Sequence, residues 1–328
     1  MSSRVASLVL LVLLITMPGA IEAQPTGKMW QIGFLGSGTA AAWKSGVEAL
    51  QRGLSDHGYI EGRNVRIEYR WAESRYERLP ELAVELVRLK PDVIITHGTP
   101  STLALKRVTS AIPIVMSIIG NPVENGVVAS LARPGGNITG SSFFSDEITA
   151  KRLEILKTAY PTMTRVGFLT NPQSVAGHGT LRAMEAMRQS LDVQLRVVDV
   201  RNPEGLESAL RGLATVGADG VVLADEQVVT TGDAPRRIAD FSLKNRLPSI
   251  GPVHYARAGG LIGYGVIWTD VVRQSMALVD AILKGANPAT LPIQQATTFE
   301  LAINVKTATA LGLPIPSSLL ARANHVIE

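Results

Sequence analysis

Short apolar runs alternate along the chain with longer stretches in which apolar positions recur every three or four residues. The runs at 31–35, 65–69, 92–96 and 112–118 read as buried strands, and the stretches at 40–57, 76–90, 100–108 and near 123–132 read as amphipathic helices. After Gly140 the pattern starts again, with strands expected at 165–169, 194–200, 220–223 and 248–253 and helices near 174–189, 204–216 and 234–246. A further strand at 261–265, a helix at 269–284 and a strand at 299–303 follow. Strands alternating with helices of this length predict parallel β-α-β units and an α/β fold.

The two halves resemble each other. Ile32-Gly33-Phe34-Leu35 matches Val166-Gly167-Phe168-Leu169, Pro91-Asp92-Val93-Ile94 resembles Ala218-Asp219-Gly220-Val221, and Ile112-Pro113 resembles Leu247-Pro248. The offset is about 130 residues each time, which predicts two similar doubly wound parallel-sheet lobes. The remaining helix and strands are too few for a third domain, so the chain is expected to cross back. Crossings near 140–144, 264–268 and 294–298 would form a multi-strand hinge about which the lobes close. Lobe one then takes 24–140 and about 266–295, and lobe two takes 141–265 and about 296–328.

The first residues change the picture of where the chain resides. Arg4, an apolar run over 5–17, Pro18-Gly19 and the small residues Ala20 and Ala23 follow the order of a cleavable secretory signal peptide over 1–23. The run is shorter than the roughly 20 residues that a membrane span needs. Cysteine is absent, so disulfides cannot stabilise the exported protein and no thiol follows the apolar run to carry a lipid. A soluble periplasmic protein, monomeric and not lipid-anchored, is expected. The net charge of +4 is small for 328 residues and the basic residues are dispersed, which argues against nucleic acid as a partner.

In open parallel sheets, ligands bind beyond the carboxyl ends of the strands. After the first strand comes Gly36-Ser37-Gly38-Thr39, and after the third His97-Gly98-Thr99-Pro100-Ser101. Thr99 is placed to cap a helix that Pro100 begins, and free N–H groups there would favour a carboxylate. The corresponding second-half loops are Asn171-Pro172-Gln173-Ser174 and Asp225-Glu226-Gln227, where an acidic pair would face an amine or hydroxyl groups. Phe143, Tyr264 and Trp268 fall near the crossings, where a ring could stack on a ligand. The candidate ligand-binding set is Ser37, Gly38, Thr39, Gly98, Thr99, Ser101, Asn121, Phe143, Asn171, Asp225, Glu226 and Tyr264, with no catalytic residue, metal ligand or cofactor.

Longer motifs carry a family resemblance. The stretch from Ile112-Pro113-Ile114-Val115 through Asn121-Pro122-Val123 to Arg133-Pro134-Gly135-Gly136-Asn137-Ile138-Thr139-Gly140 resembles the signature of the ABC transporter substrate-binding family that includes tryptophan-type binding proteins. So do Gly259-Gly260-Leu261-Ile262-Gly263-Tyr264-Gly265, Ile282-Leu283-Lys284-Gly285-Ala286, and Phe299-Glu300-Leu301 through Leu311-Gly312-Leu313. The resemblance implies a type I periplasmic-binding fold, a small-molecule ligand, and an ABC permease with its ATPase as partners. Aromatic-amino-acid binders of this family tend to carry Thr-Asp-Asn where this chain has Asp225-Glu226-Gln227, so the site differs in side-chain length.

Other classes have less support. Gly36-Ser37-Gly38-Thr39-Ala40-Ala41 fits the G-x-G-x-x-A turn of an NAD-dependent oxidoreductase, but the first acidic residue past the second strand comes later than the usual spacing. The five histidines show no metal-ligand spacing, and no G-x-S-x-G elbow is present. A soluble sensor subunit for a membrane receptor would use the same closure and have the same pattern.

Overall fold

The computed structural model describes residues 28–171 and 175–328. The expected signal peptide over 1–23 and the loop residues Pro172, Gln173 and Ser174 lie outside the described residues. The first half runs β1 (Trp30–Gly36), α1 (Lys44–Asp56), β2 (Val65–Trp71), α2 (Leu79–Arg88), β3 (Val93–Thr96), α3 (Thr99–Val108), β4 (Ile114–Gly120) and β5 (Ile138–Phe143). Then come α4 (Ser145–Ala159), β6 (Arg165–Thr170), α5 (Val175–Leu191), β7 (Gln194–Asp199), α6 (Leu206–Thr215), β8 (Gly220–Leu223), α7 (Gln227–Thr230), α8 (Ala234–Lys244), β9 (Ser249–Gly251), α9 (Val253–Arg257) and β10 (Ile262–Gly265). The chain ends with α10 (Trp268–Leu283), β11 (Gln294–Gln295), β12 (Glu300–Asn304), α11 (Val305–Leu311), α12 (Ser317–Leu320) and β13 (His325–Ile327).

Among the described residues the first sheet has the order β11-β5-β4-β3-β1-β2 and the second β13-β12-β10-β9-β8-β6-β7. Their pairs are parallel except that β10 runs antiparallel to β12. The central strands β3 and β8 are buried at every position, as the near-continuous apolar runs of a sheet covered on both faces require. Each sheet contains one doubly wound core, β2-β1-β3-β4-β5 and β7-β6-β8-β9-β10, whose winding reverses between its first and third strands. The repeated motifs lie at these reversals: Ile32 pairs with Val93, and Val166 with Gly220. The chain leaves the first sheet after Phe143, returns after Gly265 to lay α10 on α1 and β4, and leaves again between Gln295 and Glu300.

Two expectations need correction. Residues 123–132 form turns and bends, not a helix. Gly126 has a φ of 68°, which ends any helical run there, and the amides of Val127 and Val128 fold back onto the Pro122 carbonyl at 2.8 and 3.2 Å. Conversely, the helix α4 lies where none was expected. Its buried face includes Ser145, Asp146, Thr149 and Arg152 beside Ile148, Leu153 and Leu156, so hydrophobic periodicity hides it. The available signal is charge: Asp146 and Glu147 in its first turn and Lys157 in its last suit the helix dipole.

Candidate functional site

Both winding reversals open onto one cavity of about 480 Å³ between the sheets. Volumes of a few hundred cubic ångströms are typical of small-molecule sites. From the first lobe, Ser37 ends the β1 turn, His97-Gly98-Thr99-Pro100 lead from β3 into α3, and Trp43, Tyr76 and Phe143 add rings to the wall. Trp268, the first residue of α10, joins them. The second lobe supplies Arg152 from α4, Asp225, Glu226 and Gln227 from the end of β8, and Thr230 and His254.

The aromatic wall is closely stacked around Trp43. Trp43 is buried and stacks nearly parallel on His97, with ring centres 4.1 Å apart and planes 10° apart. Trp268 lies 5.7 Å from Trp43. His97 is only 1 % exposed, and burial pushes its pKa down to about 3, so the ring is neutral. Its Nε2 is buried without a hydrogen-bond partner, as is the hydroxyl of Ser101. His254 is also held neutral, its pKa lowered mainly by burial, and its Nε2–H donates to the Thr230 carbonyl at 2.8 Å.

The charged part of the second lobe is organised by Arg152. This side chain is 1 % exposed and meets Asp225 through both terminal nitrogens, at 3.0 and 2.9 Å. Its remaining bonds go to the carbonyls of Tyr264 at 2.8 Å and Leu223 at 3.2 Å. A bidentate guanidinium–carboxylate pair is among the stronger polar contacts a protein makes. Asp225 therefore lines the cavity as one half of an ion pair with Arg152. Glu226 is buried; burial first, and then this carboxylate, push the Tyr76 phenol pKa well above its ordinary value.

Of the sequence candidates, Ser37, Gly98, Thr99, Phe143, Asp225 and Glu226 line the cavity. Gly38, Thr39, Ser101, Asn121, Asn171 and Tyr264 are not among the described residues that do. Thr39 accepts from the Ala42 amide at 3.0 Å in its own turn, Tyr264 contributes its carbonyl to Arg152, and Asn121 turns the chain after β4 with a φ of 37°. Thr99 is not a cap: Gly98 holds that position and Thr99 is the first residue of α3. The dinucleotide-like glycine pattern at 36–41 lacks the helix it needs, because turns fill 40–43 and α1 begins only at Lys44.

Sequence reading left Trp43, Tyr76, Arg152, Gln227 and His254 out of the candidate set. Gln227 was visible as the neighbour of the acidic pair, and its role depends on the other lobe. Its Oε1 accepts from Ser37 Oγ and its Nε2 donates to His97 Nδ1, both at 2.6 Å.

Comparison with known proteins agrees with this architecture. Residues 39–327 match the family model of the ABC transporter substrate binding protein. A tyrosine-binding protein of Clostridioides difficile strain R20291 is 26% identical over 265 residues, covering 80% of this chain and 75% of that protein. The crystal structure of a conserved domain protein from Vibrio cholerae superposes with a TM-score of 0.85 at 26% identity, covering 91% of this chain and 100% of the other. A Streptococcus pneumonia ABC domain in complex with L-Trp gives a TM-score of 0.83 at 22% identity, covering 91% and 99%. The fold is that of type I periplasmic binding proteins. The chain belongs to the ABC transporter substrate-binding protein family.

Proposed function

We propose that this chain is the periplasmic solute-capturing component of an ABC importer, working as a monomer with a permease and its ATPase. Its solute is a small organic molecule of amino-acid type with a flat apolar part. The observation that carries this reading is the cavity at the two facing winding reversals, walled by Trp43, Trp268 and Phe143 and edged by polar groups of both lobes. A flat solute would lie against the rings, where aromatic contacts add to simple burial. An anionic end would take the free N–H groups at the start of α3, beside Thr99 and Pro100. The tyrosine-binding relative and the L-Trp complex support this choice of solute class. Export rests on the expected signal peptide; among the described residues no helix is long and apolar enough to cross a membrane. The lobes are divided as the sequence suggests, with closure about the three crossings.

The test is thermal melting of refolded protein against amino acids, nucleosides, sugars, aromatic acids and NAD. A solute present at about 100 times its dissociation constant adds about 2.7 kcal/mol and raises the midpoint. A rise with aromatic amino acids or acids and with no other class is the expected result. A rise with NAD alone would refute the proposal.

A further inference from the structure

We propose that Gln227 is a built-in latch: its carboxamide fills a cradle on lobe one, made by Ser37, Gly38, His97 and Gly98, and holds the lobes together before any solute arrives. The inference rests on the two-lobe closure proposed above and adds a contact that closure makes by itself.

The cradle is chemically matched to an amide. Ser37 offers a hydroxyl hydrogen to Oε1, and His97 Nδ1 offers a lone pair to the Nε2 hydrogens, each at 2.6 Å. The partners lie 190 and 130 residues from Gln227 and belong to the other sheet's loops, so both bonds must break when the lobes part. Burial keeps His97 neutral, and in the tautomer this contact uses, with the ring proton on Nε2, a solute carboxylate has no hydrogen to give Nδ1. In that tautomer the seat suits a carboxamide better than the anionic end of an amino acid.

The glycines lie close against the amide, and Gly98 is the one that leaves it room. A β-carbon on Gly38 would stand 3.5 Å from Gln227 Oε1, and one on Gly98 would stand 3.3 Å from Nε2. Gly98 also has a φ of 73°, a conformation that side chains disfavour. Both sides of the contact are anchored. His97 is clamped under Trp43, and the Gln227 carbonyl accepts from the Thr231 amide at 3.0 Å and the Thr231 hydroxyl at 2.8 Å. The glycine loop that sequence alone would give to the solute is thus occupied by the protein.

The absence of cysteine makes the test direct. Ser55→Cys on α1 and Arg211→Cys on α6, both exposed, take a donor and an acceptor dye, and energy transfer is read on refolded, solute-free protein. The expected result is a mainly closed population that Gln227→Ala shifts toward open by about tenfold, the scale of two hydrogen bonds of modest net strength. Gln227→Asn, one methylene short, and Ser37→Ala should open it similarly. The double variant Ser37→Ala/Gln227→Ala should open little further than Gln227→Ala alone. Melting curves of the solute-free variants identify any that fails to fold. Transfer unchanged by both Gln227 variants, or a parent already open without solute, would overturn the latch. The solute reading would stand or fall separately on the melting panel.

Discussion

Replacing Arg152 by Met tests how the second lobe is held together. Methionine fills similar space but removes the guanidinium from Asp225 and from the carbonyls of Tyr264 and Leu223. Among the described residues Asp225 keeps the Thr149 hydroxyl, 3.5 Å away, and its side chain is 14% exposed, so water replaces little of the loss. Breaking a buried pair from one side costs about 3–5 kcal/mol, because the remaining charge stays desolvated. For a unit of this size that corresponds to a midpoint lower by about 10 °C. Arg152→Met/Asp225→Asn removes the orphaned charge and should recover at least half of the deficit. Urea unfolding followed by circular dichroism measures both variants. All four tryptophans, Trp30, Trp43, Trp71 and Trp268, belong to the first sheet or to elements packed on it, so their fluorescence follows the undisturbed lobe. A cost below about 1 kcal/mol, the scale of an exposed pair, would refute the reasoning. So would a double variant no more stable than the single one.

Other consequences follow from the same site. His97 titrates near 3 when folded and near its ordinary value of about 6.5 when unfolded, so its contribution to stability is complete above pH 6.5. It is lost as pH falls toward 3, by about 2 kcal/mol at pH 5; comparing urea unfolding of the parent and His97→Gln at pH 7.5 and 5 isolates it, and equal slopes would refute it. Gly98→Val puts a branched side chain at a φ of 73° and against Gln227, and should destabilise by about 1–3 kcal/mol in the same unfolding assay. Trp268→Ala removes one apolar wall, and should weaken whichever solute raises the melting point by about tenfold to a hundredfold in calorimetric titration.

Much of this protein is local and therefore legible in its sequence. Most of the strands, the long helices apart from α4 and the 130-residue repeat follow from apolar periodicity, and the placement of Ser37, Gly98 and Asp225 at loops facing one cleft follows from parallel winding. The helix α4 escaped because its buried side includes Arg152 and Asp146, polar residues that become internal only when distant partners, Asp225 for the one and Thr180 of α5 for the other, satisfy them. The turns at 123–132 escaped because Gly126 and the Pro122 carbonyl override a helical pattern. Sequence alone set the architecture and the mouth of the site. Only the tertiary structure decided that Asp225 answers Arg152 and that Gln227 crosses to Ser37 and His97. Both contacts join residues more than 70 positions apart; the first exists only once the second half has folded, and the second only once the two halves have met.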